Sequence, residues 1–287
     1  MDIQWYPGHM KKTRDLISQN HKLVDLIVEL LDARAPRSSL NPIFDDVLGD
    51  KKRLFLLNKS DLADPSVNNL WLDFYQKQNK DILLMNSRSG STKVILDKIR
   101  QMNAPIHERM IQRGRKIRPM RMMILGVPNV GKSSLINRLA GRASARTGDK
   151  PGVTRGKQWV RLGKDLELFD TPGILWPKFE DNQEGIHLAL IGSIRDEILD
   201  RQSLALELVR RLIKDYPGVL RQRYGCEEEG EALVIMENIA LARGAILPGK
   251  QIDYERIARI LIDEFRGGIL GRISLERPDN GAVESTL

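Results

Sequence analysis

The stretch "MRMMILGVPNVGKSS", residues 120–134, decides the fold. Its first seven residues form an apolar run suited to a buried strand, and "SSLINRLAG" after it has helical spacing. Between them, Gly126-Val-Pro-Asn-Val-Gly131-Lys132-Ser133 has the spacing G-x-x-x-x-G-K-[ST] in the strand–loop–helix context that gives the motif its meaning. Glycines in such a loop let backbone N–H groups face a phosphate, and the helix N-terminus adds its dipole. Asn129, Val130, Gly131, Lys132, Ser133 and Ser134 are the expected phosphate-binding residues. Lys132 should reach the β and γ phosphates, and the Ser133 hydroxyl should ligate Mg²⁺.

Two further stretches bear on the same ligand. Asp170-Thr-Pro-Gly173 closes a predicted hairpin (157–170) that turns at Gly163-Lys164. Asp170 can hold Mg²⁺ through water, and the Gly173 N–H can sense the γ phosphate. "DKPGVTRG" lies between cradle and hairpin, and its Thr154 is the expected second Mg²⁺ ligand. Upstream, "LFLLNKSD" ends an apolar run with Asn58, Lys59 and Asp61. A carboxylate at Asp61 can accept from guanine N1–H and the exocyclic amine, a pair that adenine lacks at that edge. The Asn58 amide can meet O6 and N7, and the Lys59 stem can lie over the base. Discrimination follows because the wrong base leaves buried polar groups unpaired. "NSRSG" after the next apolar run brings Asn86, Ser87 and Arg88, a backbone N–H and a packing wall beside the base. The residues favour GTP over ATP. The base-reading stretch precedes the phosphate cradle, the reverse of the usual order.

Apolar runs at 23–33, 53–58, 81–87 and 120–126 alternate with helical patterns such as "KVILDKIRQM". That alternation predicts an α/β fold, a mostly parallel sheet with helices on both faces. After Pro177 the strand signal nearly vanishes. "SLALELVRRLIKDYP", "ALVIMENIALARGA" and "DYERIARILIDEFRGG" read as helices, so a GTPase domain is expected at 1–178 and a smaller all-α domain at 179–287. "HERMIQRGRKIRPMR" (107–121) is strongly basic and links the helix after the third strand to the cradle strand; a solvated linker is its plain reading. The end of the chain, "RPDNGAVESTL", is polar and expected to fray.

The chain carries a net charge of +8 and a pI near 9.6, which favours an anionic partner, nucleic acid first. Cys226 is the only cysteine, so no internal disulfide or cysteine metal cluster can form, which fits a reducing cytosol. "MDIQWYPGHM" reads as neither signal nor transit peptide, and no apolar stretch approaches a membrane span.

"NKSD", "NSRSG", "GVPNVGKSS", "PGVTRG" and "DTPGI", in that order, resemble the circularly permuted P-loop GTPases. With "WYPGHMKKT" at 5–13 the chain is similar to the ribosome biogenesis GTPase A (YlqF-related) family over nearly its whole length. The resemblance implies a cytoplasmic GTPase that binds GTP and GDP with Mg²⁺ and assembles the large ribosomal subunit. It implies contacts to ribosomal RNA through the helical domain, with Arg210, Arg211, Lys214, Arg221 and Arg223 as candidates, to ribosomal proteins as well, and a monomer off the ribosome. It also explains the motif order: a parallel sheet can be cut at one connection and rejoined at another without changing its packing.

Ile174 follows Gly173, where Ras-type GTPases place the Gln that orients water. The resemblance implies two substitutes. One is a potassium ion associated with Asn129; the other is His9 in "YPGHM", which would act with Lys132 and Thr154 as catalytic groups once the ribosomal partner binds. Three other readings stay open: a permuted GTPase of small-subunit assembly, an RNA-binding scaffold using GTP as a structural ligand, and a GTPase of tRNA modification or of a membrane.

Overall fold

The computed structural model describes Asp15 and residues 17–89, 91–141, 158–162, 164–170, 175 and 181–278. A helical turn at 17–20 (α1) leads into β1 (Leu26–Asp32), α2 (Ile43–Leu48), β2 (Arg53–Asn58), α3 (Pro65–Lys77), β3 (Asp81–Leu84) and α4 (Lys93–Gln112). Then come β4 (Met120–Gly126), α5 (Lys132–Ala140), β5 (Gln158–Leu162) and β6 (Leu166–Asp170). From there the described regular elements are helical: α6 (Asn182–Leu190), α7 (Arg201–Asp215), α8 (Val219–Tyr224), α9 (Ala232–Ala242) and α10 (Tyr254–Gly267).

The six strands lie in the order β3-β2-β1-β4-β6-β5. Among the described strands of this sheet, only the β5–β6 pair is antiparallel. Strand order grows one way from β1 and the other way from β4, so the sheet reverses between them. Loops at the carboxyl ends of strands flanking such a reversal diverge and leave a crevice. The end of β4 carries the phosphate motif there, beside Asp32 at the end of β1. The edge hairpin sits beyond β4, the base-reading strand beyond β1. A cyclic shift in chain order thus leaves the spatial neighbours of the cradle unchanged.

β1 is buried along its whole length, as expected for a central strand covered on both faces. Leu31, Phe55, Leu57 and Ile82 pack under Trp71 and Tyr75 of α3 on one face. Residues of opposite parity, Val28, Leu30, Leu54 and Leu56, join Ile95 and Ile99 of α4 in the main core, which continues into the helical region. The predicted strands 53–58 and 120–126 match, whereas 23–33 and 81–87 are longer than β1 and β3. The apolar periodicity ends near Met102, but α4 continues through Pro105 to Gln112. A boundary near 178 falls outside the described residues.

Glu29 is a liability at the centre of β1. It is fully buried, its carboxylate oxygens have no hydrogen-bond partner among the described residues, and the Arg53 guanidinium is 3.8 Å away. Burial, only partly offset by Arg53, pushes its carboxyl up to about 8. Below the unfolded carboxyl range both states hold the proton. Between that range and about pH 8 the folded state keeps a proton that the unfolded chain has lost, so stability falls as pH rises. Glu29→Gln should therefore flatten the decline in melting temperature between pH 5 and 8 and raise it at pH 8 by about 2–4 °C. Thermal melts across that range check this; identical slopes for both proteins would refute it.

Candidate functional site

The phosphate cradle is built from backbone that side chains would obstruct. At Gly126 (φ +151°) a Cβ would lie 2.6 Å from the Leu30 carbonyl oxygen, and at Gly131 (φ +105°) it would lie 2.2 Å from Asn58 Nδ2. Asn129 takes the left-handed region that Asn tolerates best. Lys132 opens α5 and is buried, its Nζ donating to the carbonyls of Gly126 (2.9 Å) and Val127 (2.8 Å). The ammonium thus spans its own loop, where a phosphate bound by the backbone would meet it. Ser133 and Ser134 follow in the first turn, both half-buried.

Asn58 joins this cradle to the base-reading loops. It is buried at the end of β2, and its Nδ2 donates to the Val130 carbonyl (2.6 Å) and to Ser87 Oγ (3.1 Å). Its Oδ1 accepts from the Ser87 N–H at 2.9 Å. Both amide protons are engaged by protein partners. The amide expected to meet guanine O6 and N7 thus also ties three loops together. Asn86 also serves its own loop, where its Oδ1 accepts from the N–H groups of Arg88 (2.8 Å) and Ser89 (3.2 Å). Arg88 and Asp61 are exposed beside this tie.

Lys59 takes a left-handed backbone (φ 59°) and sends its Nζ to Asp32, 2.9 Å from Oδ2. Asp32 also receives Arg34 through Nε and Nη2, both at 2.9 Å. Burial alone would raise the Asp32 carboxyl, but Arg34 and Lys59 more than offset it and hold it well below the usual carboxylate range. The carboxylate therefore stays charged and fixes the Lys59 stem. No motif pointed to Asp32; a carboxylate closing an apolar run and followed two residues later by arginine is the sequence signal for this buried cluster.

The helical region meets both halves of the site. Asn129 Nδ2 donates to the Gly192 carbonyl (2.8 Å), and Ser193 Oγ donates to the Pro128 carbonyl (2.9 Å), so the end of α6 sits on the cradle. Arg266 of α10 braces that end through the Leu190 and Ala189 carbonyls and Asp196. Residues 272–276 then run back over the base-reading loop. Ile273 N–H donates to the Leu62 carbonyl (3.0 Å), and the Leu275 N–H to that of Arg34 (2.7 Å). Arg272 reaches the Ala63 and Ser60 carbonyls. The Glu276 carboxylate accepts from the Arg37 and Ser38 N–H groups and lies 2.8 Å from His187 Nδ1. No motif announced this strap.

His9, Thr154 and Thr171–Ile174, Gly173 included, lie outside the described residues. Asp170 ends β6, beside β4, on the cradle side of the sheet. Of the helical-region cations expected to meet RNA, four face acids. Arg210 and Arg211 lie at Glu207, Arg221 at Glu227, and Arg223 grips Glu264 at 2.7 and 2.9 Å. Residues 179–287 hold 14 Lys and Arg against 20 Asp and Glu; residues 1–178 hold 32 against 18. The basic excess therefore lies in the sheet-bearing part.

A phosphate cradle at the reversal of a parallel sheet, tied by Asn58 to a guanine-type base loop, defines a P-loop GTPase, here with circularly permuted strands. A family model described as "50S ribosome-binding GTPase" matches residues 121–215. Ribosome biogenesis GTPase A of Priestia megaterium is 44% identical over 97% of this chain and 98% of its own length. The Thermotoga maritima protein of that name is 32% identical over 97% and 95%. Mitochondrial ribosome-associated GTPase 1 of Bos taurus is 31% identical over 96% and 88%. The GNP-bound crystal structure of YlqF from T. maritima superposes with a TM-score of 0.67 at 29% identity, covering 93% of this chain and 99% of that one. A GDP-bound YlqF structure gives 0.69 at 29% identity, covering 92% and 99%. The chain belongs to the ribosome biogenesis GTPase A family, enzymes that bind guanine nucleotide and hydrolyse GTP.

Removing the Asn58 amide leaves the buried Val130 carbonyl and Ser87 N–H without a partner, each at a cost of about 1–3 kcal/mol. Asn58→Ala should weaken GTP and GDP alike by about two orders of magnitude, since the tie serves the loops and not the γ phosphate. Titration with labelled nucleotide checks it; affinities within threefold of wild type would contradict the role.

Proposed function

We propose that this protein is a cytoplasmic GTP-dependent assembly factor for the large ribosomal subunit, monomeric off the ribosome and activated by the particle. The observation that carries the reading is the double seat of the helical region, on the cradle through Asn129 and Ser193 and on the base loop through residues 272–276. A change in either loop displaces groups that the helices hold, so nucleotide state is transmitted to a surface that a large partner can read. The family description as a 50S ribosome-binding GTPase and the basic charge support the identity of that partner. The division at about 178 into a GTPase domain and a helical domain belongs to the same proposal. Among the described residues no helix is long and apolar enough to cross a membrane.

The residues have separate roles. Asp61 takes the guanine edge, while Asn86, Ser87 and Arg88 wall the base. The N–H groups of Val130, Gly131, Lys132, Ser133 and Ser134 face the phosphates, and Lys132 turns from its loop carbonyls toward the transferred phosphoryl group. Ser133, half-buried in the first helical turn, offers the hard oxygen donor that suits Mg²⁺; Thr154 and, through water, Asp170 complete the set. The ion would neutralise charge on the β and γ oxygens. Potassium at Asn129 would add charge stabilisation beside the phosphates. Gly173 reports the γ phosphate, and His9 positions water, which Ile174 cannot do.

GTP turnover in potassium buffer should rise at least about tenfold with purified large subunits and stay flat with small ones. His9→Ala should remove most of that rise while leaving GTP affinity unchanged. GTP binding with no rise on large subunits would point to the scaffold reading, and a rise on small subunits to the sister pathway.

A further inference from the structure

The second half of α4 packs only in part against the described molecule, through half-buried Ile106, His107 and Met110. Its buried residues are Ile95, Ile99, Met102 and Asn103; none of residues 104–112 is buried. Nine helical residues span about 14 Å at 1.5 Å each, so the helix runs on well past its packed half. It stops in a Schellman-type turn. Gly114 (φ +61°) donates to the Ile111 carbonyl and Arg115 N–H to that of Met110. The return to β4 is exposed at every residue from 113 to 118. Helix end and return form an exposed arm between α4 and β4.

Its composition is one-sided. Residues 107–118 contain Arg109, Arg113, Arg115, Lys116 and Arg118 against the single acid Glu108, a net charge of +4 in a chain of net +8. Arg118 is committed to Asp25 through two 2.8 Å bonds, which pins the base of the arm. Arg113, Arg115 and Lys116 have no acidic partner among the described residues. Ile111 and Ile117 lie 60% and 54% exposed beside them. Guanidinium groups that reach phosphate in bidentate fashion, next to apolar side chains that can rest on sugars or bases, suit ribonucleic acid. The arm joins β4 at its amino end, whereas the nucleotide site lies at the carboxyl end. In the permuted order this arm is also the segment connecting the base-reading half of the sheet to the phosphate-binding half.

We propose that the α4–β4 arm is an RNA-phosphate contact surface, separate from the helical region and at the end of the sheet opposite the nucleotide. The proposal rests on the ribosomal reading above and locates a part of that contact.

The test uses the full chain with Arg113, Arg115 and Lys116 all changed to Glu, and deproteinised large-subunit ribosomal RNA as probe. Affinity is measured from 50 to 300 mM KCl, with GTP affinity and thermal melting as controls. The charge-reversed protein should bind at least about tenfold more weakly at 100 mM KCl, and its log–log salt slope should be shallower by about 2–3. A second variant, Arg113→Lys with Arg115→Lys, keeps the charge and should retain most of the affinity. Unchanged RNA affinity and salt slope in the charge-reversed protein would overturn the arm while leaving the ribosomal reading intact. Unchanged RNA binding with lost binding to intact large subunits would also overturn it, in favour of a protein partner. A wild-type protein that binds neither the RNA nor the subunits would overturn the ribosomal reading and the arm with it.

Discussion

The Asn58 side chain is the constraint on which the nucleotide site depends. One buried amide holds the end of β2, the loop after β3 and the cradle after β4 together. Those loops are distant in sequence, and their spacing in space must match the length of a single nucleotide. Close approach of Asn58 to the cradle is what excludes a side chain at Gly131. Because the tie acts through space, chain order is immaterial to it. The permutation is therefore compatible with an intact site, and what it changes is which segments leave the sheet at which end.

Two segments leave in informative places. The helical region follows the β6 loop and settles back on the cradle and on the base loop, through single hydrogen bonds from Asn129 and Ser193 and through the strap at 272–276. The buried Asp32–Arg34–Lys59 cluster lies under that strap, with the Arg34 guanidinium 5.2 Å from the Phe265 ring centre and its carbonyl accepting from Leu275. Site and helices thus share groups and do not merely adjoin. At the opposite end the α4–β4 arm leaves the sheet with half the chain's net charge.

The cradle and the base loop were legible in the sequence because their chemistry admits few residue types. Only glycine fits at 126 and 131, only lysine reaches across that loop, and only a carboxylate offers the acceptors of Asp61. The mostly parallel sheet followed from the alternation of apolar runs and helical patterns, whereas its strand order came from the structure. The strap was not legible: Ile273 and Leu275 bond through backbone, and Ser274 and Glu276 are ordinary residues whose partners at Asp64, Arg37 and Ser38 lie more than 200 positions away. The length of α4 was missed for a related reason. Apolar periodicity reports packing, and the helix continues where packing is only partial. The acidic partners of the helical-region arginines were likewise not legible, since Arg223 meets Glu264 across 41 positions.

The central claim is that a base loop preceding the cradle in the chain reads the base of the nucleotide whose phosphates the cradle holds. The direct measurement is the affinity of Asp61→Asn for GTP and for xanthosine triphosphate. An amide at 61 loses the acceptor for the guanine amine and gains a donor for the xanthine C2 carbonyl, so preference should invert, with GTP weakened at least about a hundredfold. Retained GTP affinity with no gain for xanthosine triphosphate would show that Asp61 does not face the base, and the assembly of the site from the two reversed halves would have to be abandoned.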